Sequence, residues 1–480
     1  MNLKGFINKI TVVENSVDMS TLEYHDFNPW PYIRLAILHK YSTIDIHKKK
    51  SSKNLQKKRN VSKFINLFKS WQRYIKNPII NEKIDIVFFT RVSESTDVVD
   101  GKRFNRYSDS LKYFFSKNYN IKTLEISDIE STSNRVVMDK YITSIDFILK
   151  IQQIKYKLYS RMNKVECFKN NTLENEIEQV FGFKVNVAQD IAYIDFLSLK
   201  FMKILKSYNP KLLFLTVFYR PEAMAMSLAC HRLGIRVIEY QHGAQNDYHA
   251  MYTHWMNVPK NDYELIPDVF WMWGSVPKNR IERWSKNTSK HQAVIGGNLW
   301  LSFNKQRDVK ILKLDKHYKK DKINILVSLQ GDRFFSEFLL ECIKNSSENI
   351  MWHFRDHPRL PLSDKLKKQI TNFENVELNF STETTLYELL KKTDIHITGY
   401  STVAFEAQSF NVPTVFIHSN ALNGYNSLIN KNGLFYAKDS EELGILIEKL
   451  LKEDKKIKAD YIISDLETHK ATLAELMGAR

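Results

Sequence analysis

The sequence predicts an α/β protein of two doubly wound, Rossmann-like domains facing a central cleft, preceded by a helical extension. Three observations predict it. Short apolar runs of strand type alternate with helical stretches from residue 84 onward, and the alternation stops at a polar stretch at 302–322 and then restarts. The chain of 480 residues is also longer than one core usually organises. Alternation of this kind places parallel strands in a sheet with helices on both faces.

In order, Pro31–Tyr41 and Val61–Lys76 have helical spacing and form the extension, residues 1–80, together with a basic loop. The first domain, 81–305, begins with the apolar run Ile84–Thr90 and continues with Ile121–Ile126 as a second strand. Helices are expected over 139–163 and 188–207. Leu212–Val217 is then a strand, Pro221–Leu233 a helix ended by Gly234, and Arg236–Tyr240 a strand, followed by Val269–Trp273 and Ala293–Ile295. In the second domain, 306–455, strands are expected at Ile323–Leu329, Ile350–Phe354, Val376–Phe380, Asp394–Thr398 and Thr414–His418. They alternate with helices at 333–345, 362–370, 385–392, 401–410 and 441–452, and a C-terminal helix occupies 456–480.

Composition narrows the class. Hydrophobic residues are 43% of the chain and mean hydropathy is −0.38, which suits a soluble protein with ample core. The longest apolar runs fall far short of the roughly 20 residues that cross a bilayer. The N-terminal MNLKGFINKITVVENS lacks the apolar stretch and cleavage site of a signal peptide, so a cytoplasmic protein is expected. Cys167, Cys230 and Cys342 are few, odd in number and widely spaced, which suits buried thiols rather than disulfides or a metal site. The formal charge is +17, much of it in Lys48–Arg59, KKKSSKNLQKKR. A solvated loop is one reading of that segment, and a contact with the anionic inner face of the cytoplasmic membrane is another. No nucleic-acid-binding signature accompanies the charge, so nucleic acid is not an expected partner.

Three stretches carry candidate chemistry. In DIHITGYSTVAFEAQ, a strand ends at Thr398, Gly399 and Tyr400 make the turn, and Ser401 and Thr402 open a helix. Free N–H groups and hydroxyls there suit a phosphate, and Glu406, one turn on, suits two ribose hydroxyls. An ordinary capped helix with a surface Glu has the same spacing. In WHFRDHPR, a strand delivers Arg355, His357 and Arg359 at alternate positions before Pro358 stops the pairing, which suits a nucleotide or merely a polar strand end. In VIEYQHGAQND, a strand ends and Gln241 and His242 precede Gly243. An imidazole side chain suits proton transfer, so His242 is a candidate general base, or a structural histidine. His249 and His254 lie nearby, but no metal motif supports a metal site. Glu222 and Asp247 are further candidates for a base or nucleophile, with a solvated loop carboxylate as the plainer reading of each. Arg103 and Arg106, in GKRFNRYSD, and Gln241 are candidates for gripping an acceptor.

Taken together, the three stretches resemble the two-Rossmann (GT-B) glycosyltransferases of bacterial capsule and lipopolysaccharide assembly. The likeness extends to transferases of CMP-activated sialic acid and Kdo, and to CDP-glycerol-type polyol-phosphate transferases. It spans roughly residues 210–420. It implies that His357-Pro358 contacts the nucleotide, Ser401-Thr402 the donor phosphate and Glu406 the ribose, with His242-Gly243 as the strand-end pair. No acidic triplet of the sialyltransferase kind occurs in the first domain. The resemblance leads to the expectation of metal-independent sugar transfer, without a cofactor, from a nucleotide-sugar donor, CMP-linked by preference, to a glycan or glycolipid acceptor. Other readings of the same plan are CDP-polyol phosphotransfer, a nucleotide-sugar 2-epimerase and a non-catalytic membrane-surface scaffold.

Overall fold

The computed structural model describes residues 3–47, 61–92, 97–126, 141–162, 165–307, 318, 321–357, 360–453 and 456–478. Lys48–Arg59, Pro358 and Arg359 lie outside them.

The first sheet contains β1 (Ile86–Arg91), β4 (Ile121–Ile126), β5 (Ile142–Ser144), β6 (Leu212–Leu215), β7 (Arg236–Tyr240), β8 (Val269–Met272) and β9 (Gln292–Ile295). Its order is β5-β4-β1-β6-β7-β8-β9, with every pair parallel. A small antiparallel hairpin, β2 (Asp97–Val99) with β3 (Lys102–Phe104), stands apart from it. The second sheet contains β10 (Ile323–Ser328), β11 (Ile350–Arg355), β12 (Val376–Glu377), β13 (Ile395–Thr398), β14 (Thr414–Phe416) and β15 (Leu434–Tyr436). Its order is β12-β11-β10-β13-β14-β15, again parallel throughout. Both strand orders turn back on themselves, between β1 and β6 and between β10 and β13. Such switch points open a crevice beyond the carboxyl ends of the strands.

The expected strands form because largely apolar runs are buried on both faces: Leu212–Leu215 and Ile395–Thr398 are buried throughout. Several elements differ from expectation: the strand Leu434–Tyr436 and the helix Leu3–Ser16 were not expected, and the C-terminal helix begins at Leu466 instead of 456. The strand expected at Val376–Phe380 stops at Glu377, because the Glu377 carboxylate accepts the N–H groups of Phe380 (2.6 Å) and Ser381 (2.9 Å) and starts a helix at Asn379. The helix expected over 139–163 begins only at Asp146, since Ile142–Ser144 joins the sheet edge as β5. The helix expected over 401–410 is confined to Val403–Gln408. Among the described residues no helix is long and apolar enough to cross a membrane.

The N-terminal helices Leu3–Ser16 and Trp30–His47 share one buried cluster with the first sheet. At its centre lies a fully buried ion pair, Glu14 with Arg34. Trp30 Nε1 donates to Glu14 (2.8 Å), as does the Met256 N–H (3.0 Å). Arg34 donates to the carbonyls of Ala250 (2.9 Å), Thr253 (2.9 Å) and His254 (3.2 Å), and lies over the Trp255 ring. Burial raises the Glu14 pKa while Arg34 opposes it. The pair therefore fixes the long connection after β7.

The C-terminal segment crosses back to the first sheet. Ile463 N donates to Trp273 O (2.7 Å), and Asn298 N donates to Ile463 O (2.8 Å). Gly274 permits the crossing, because a Cβ there would meet Asp460 O at 2.5 Å. In the helix Leu466–Gly478, buried His469 has one ring nitrogen at the Gly296 carbonyl and the other 2.6 Å from the Ser302 hydroxyl. That arrangement fits a neutral imidazole with the proton toward Gly296, and burial lowers the His469 pKa.

Removing one partner of a buried ion pair leaves an uncompensated charge. Arg34→Ala is expected to cost about 3–5 kcal/mol of unfolding free energy, measured by urea denaturation. A loss below about 1 kcal/mol would show that the pair does not fasten the extension.

Candidate active site

A cavity of about 450 Å³ lies at the second switch point and opens onto the first domain. Its floor is the carboxyl ends of β10, β11 and β13: Ser328–Gln330, Arg355–His357 and Ser401–Val403 with Glu406. Its far wall comes from the first domain, with Asp97 and Arg106 beside the helix Leu299–Gln306, which contributes Trp300 and Asn304. Thr385–Tyr387 closes one side. The turn after β13 passes under the 332–334 segment, where a Cβ on Gly399 would come 2.6 Å from Phe334 O; this close approach is the reason for glycine there.

The chemistry of this cavity is that of an anion site with one tunable acid. Within the described residues the Arg355 side chain has only through-space charge partners, Tyr318, Tyr387, Glu406 and Asp97. Burial pushes its guanidinium below the ordinary value, while Tyr318, Tyr387 and Glu406 hold it up. The N–H groups of Ser401 and Thr402 make no hydrogen bond within the described residues, and Ser401 Oγ accepts from Val403 N (3.3 Å). Glu406 is 7% exposed, and its carboxyl is pushed up to about 7 by burial. Arg106, Tyr387 and Arg355 pull it down, and Asp97 adds to the rise. Arg106 itself is bound by Asp97 at 2.9 and 3.1 Å. His357 lines the cavity, and its Nδ1 accepts from Leu360 N (3.1 Å).

A second constellation stands at the carboxyl end of β7. Glu239 is fully buried and accepts N–H groups from Val217 (3.1 Å) and Phe218 (3.1 Å), and the Tyr252 hydroxyl donates to it. His242 Nδ1 lies 3.5 Å from Glu239 Oε1. The hydroxyls of Tyr252 and Tyr219 lie 3.4 Å from its two ring nitrogens. Tyr107 donates to the His242 carbonyl (2.8 Å), which fixes the backbone. Val217 has φ of 55°, an unusual conformation for a β-branched residue, and costs about 1–3 kcal/mol. The Glu239 carboxylate, by holding the amides of Val217 and Phe218, stabilises that turn. Burial raises the Glu239 pKa, with His242 and Tyr252 opposing. His249, beneath the Tyr252 ring, is pushed down to about 3 by burial and by His242 beside it, and so stays neutral.

The other candidates from the sequence are engaged elsewhere. Asp247 is held by Arg280 (2.8 Å) and Ser427 (3.2 Å). Gln241 is fully buried: its amide donates to Gly243 O (2.9 Å), and its carbonyl accepts from Trp273 N (2.8 Å). Gly243 has ample room for a side chain, so the turn there does not depend on glycine. Arg103 pairs with buried Glu125, away from the cavity lining. Glu222 pairs with Arg91 (3.0 Å) at the first switch point. Tyr400 stacks on Tyr425 (4.8 Å) and accepts from Asn246 Nδ2 (3.3 Å) instead of lining the cavity. Asp97, Trp300, Tyr387 and Glu239 were not legible as site residues, because each is joined to the others only by tertiary packing. Among the described residues no group of three His, Cys, Asp or Glu side chains is placed to hold a metal ion.

A carboxyl raised to about 7 is protonated below that pH and ionised above it. For a ligand whose hydroxyls donate to Glu406, affinity should rise between about pH 6 and 8, and Glu406→Gln should flatten the rise. Ligand-free stability has the opposite sign: the folded state keeps a proton that the unfolded carboxyl loses near 4.5, so Glu406 lowers stability as pH rises toward 7. Calorimetric titration at several pH values checks the first statement, and denaturation of the Gln variant checks the second.

The sequence matches no known family profile and no curated protein. Solved structures share the fold. A UDP-GlcNAc 2-epimerase from Neisseria meningitidis, bound to UDP-GlcNAc, aligns over 82% of this chain and 99% of its own, with TM-score 0.51 and 12% identity. The UDP-GlcNAc 2-epimerase from Methanocaldococcus jannaschii aligns over 82% of this chain and 100% of its own, also with TM-score 0.51 and 12% identity. The architecture is thus GT-B-like, two Rossmann-like sheets across a cleft. These neighbours correct the expectation of a CMP-ulosonic acid glycosyltransferase of capsule or lipopolysaccharide. They are 2-epimerases of a UDP-sugar, which favours one of the alternatives named from the sequence over that main reading.

Proposed function

We propose that the chain is a nucleotide-sugar 2-epimerase that binds a nucleoside diphosphate sugar across the cleft. The observation that carries the reading is the cavity at the second switch point, with Arg355 unpaired within the described residues beside Glu406. The diphosphate lies against Arg355 and the Ser401 and Thr402 amides, and the ribose against Glu406. His357 flanks the nucleotide. The sugar points toward the first sheet and His242. Support for epimerisation over transfer comes from the two solved epimerases of this architecture, one of which holds UDP-GlcNAc.

Inversion at C2 needs the C2–H bond broken on one face and remade on the other. As the proton leaves, its bonding pair becomes the second C1–C2 bond, and the C1–O pair departs with the diphosphate. Protonation of the opposite face of C2 and return of the diphosphate oxygen to C1 complete the exchange. Arg355 stabilises the charge that collects on the departing diphosphate. His242 moves a proton, and Glu239 behind it holds the ring and supports the imidazolium.

Incubated alone with UDP-GlcNAc in D2O, the protein should form the C2 epimer and place deuterium at C2, both visible by NMR. His242→Asn should lower that rate about 10²-fold or more while leaving UDP binding intact. Turnover that requires a glycan acceptor and gives no C2 deuterium would overturn the reading. A thermal-shift screen of CMP, CDP, UDP, GDP and dTDP should single out UDP, since a ligand of the folded state raises apparent stability.

A further inference from the structure

The helix Val61–Lys76 exposes a stripe that the cleft does not explain. Phe68, Trp71 and Ile75, spaced i, i+3 and i+7, are 55%, 41% and 50% exposed, and the Phe68 and Trp71 rings pair at 5.6 Å. The opposite side of this helix is anchored to the helix Asp146–Met162. There Lys150 Nζ donates to Ser70 Oγ (2.8 Å) and Asn66 O (3.2 Å), and Tyr74 stacks on Phe147. The stripe therefore faces outward by construction.

Among the described residues of this helix and its anchoring helix, the exposed charge is of one sign. Val61–Lys76 contains no acidic residue, and Lys69 and Lys76 are exposed on it. The anchoring helix exposes Lys155, Lys157 and Arg161, and its only acid, Asp146, is 5% exposed and lies 3.5 Å from Arg73. It also exposes Ile154, Leu158 and Met162. Aromatic and aliphatic side chains on an outward face, flanked by lysines without exposed acids, match an anionic lipid surface. The rings and aliphatic groups enter the headgroup–acyl boundary, and the lysines meet lipid phosphates. A second copy fits less well, because two such faces would bring like charges together.

We propose that the face centred on Phe68, Trp71 and Ile75 docks the protein on an anionic membrane surface, independently of the reaction in the cleft. Full-length protein should co-sediment with vesicles of 7:3 phosphatidylcholine:phosphatidylglycerol and not with phosphatidylcholine alone. The triple variant Phe68→Ser, Trp71→Ser, Ile75→Ser should lose about tenfold or more of that binding, and Lys69→Glu with Lys76→Glu should weaken it further at low salt. All three side chains are exposed, so the fold should survive, and an unchanged melting temperature checks that it does. The proposal is overturned if neutral vesicles bind equally well, or if the triple variant binds like wild type and only neutralising Lys48–Arg59 abolishes binding. It is also overturned if the wild-type protein ignores vesicles and the stripe proves to hold two copies together, as read by a dimer that the triple variant converts to monomer.

Discussion

The Arg280 guanidinium is the fixed point on which the cleft depends. It is 2% exposed and donates to Gln245 O, to the Tyr461 hydroxyl (3.2 Å) and to Asp247 (2.8 Å). Tyr461 belongs to the C-terminal crossing segment, and Gln245 and Asp247 to the connection after β7 that contains His242. Tyr461 stacks face to face on Phe405, within the same short helix as Glu406. One buried cation thus ties the connection that carries His242 to the second domain's helix that carries Glu406. Burial alone would disfavour such a charge, and Asp247 and Tyr461 outweigh that and raise the Arg280 pKa.

Two sheet ends divide the work. The second switch point collects positive charge around one ionisable acid, and its low-dielectric surroundings are what lift the Glu406 carboxyl to about 7. The carboxyl end of β7 gathers a carboxylate, two tyrosine hydroxyls and an imidazole, and holds the strained Val217 turn through the same carboxylate that faces His242. Glu239 therefore couples backbone geometry to the orientation of the imidazole. A wider hollow of about 650 Å³ at the amino ends of β7, β8 and β9, lined by His231, Asp268 and His291, opens on the opposite side of the sheet from both constellations.

Local signals explain which part of the candidate site was legible. Arg355, His357, Ser401, Thr402 and Glu406 follow strand ends, and a strand end followed by a turn or helix start can be recognised within a dozen residues; all five line the cavity. Asp247, Gln241 and Tyr400 also follow strand ends, yet their partners are Arg280, Trp273 and Asn246, distant in sequence, and those partners engage their polar groups. Arg106 was expected at an acceptor, and packing places it instead on the wall facing Glu406. The reaction class was misjudged for a related reason: motifs that hold a nucleotide are the same whether the sugar leaves for an acceptor or returns to its own diphosphate.

By itself, the sequence determined the two doubly wound halves, because apolar period and strand-end turns are local properties of the chain. It likewise grouped Ser401, Thr402 and Glu406 after β13, within one turn and a short helix. Tertiary structure decided the rest. It folded the N-terminal helices into the first core through the buried Glu14–Arg34 pair, and crossed the C-terminal helix back over Gly274. It also set Glu239 behind His242 and raised Glu406. The physical reason is common to all of these: burial and charge pairing depend on which distant segments are brought together, and no local pattern records that.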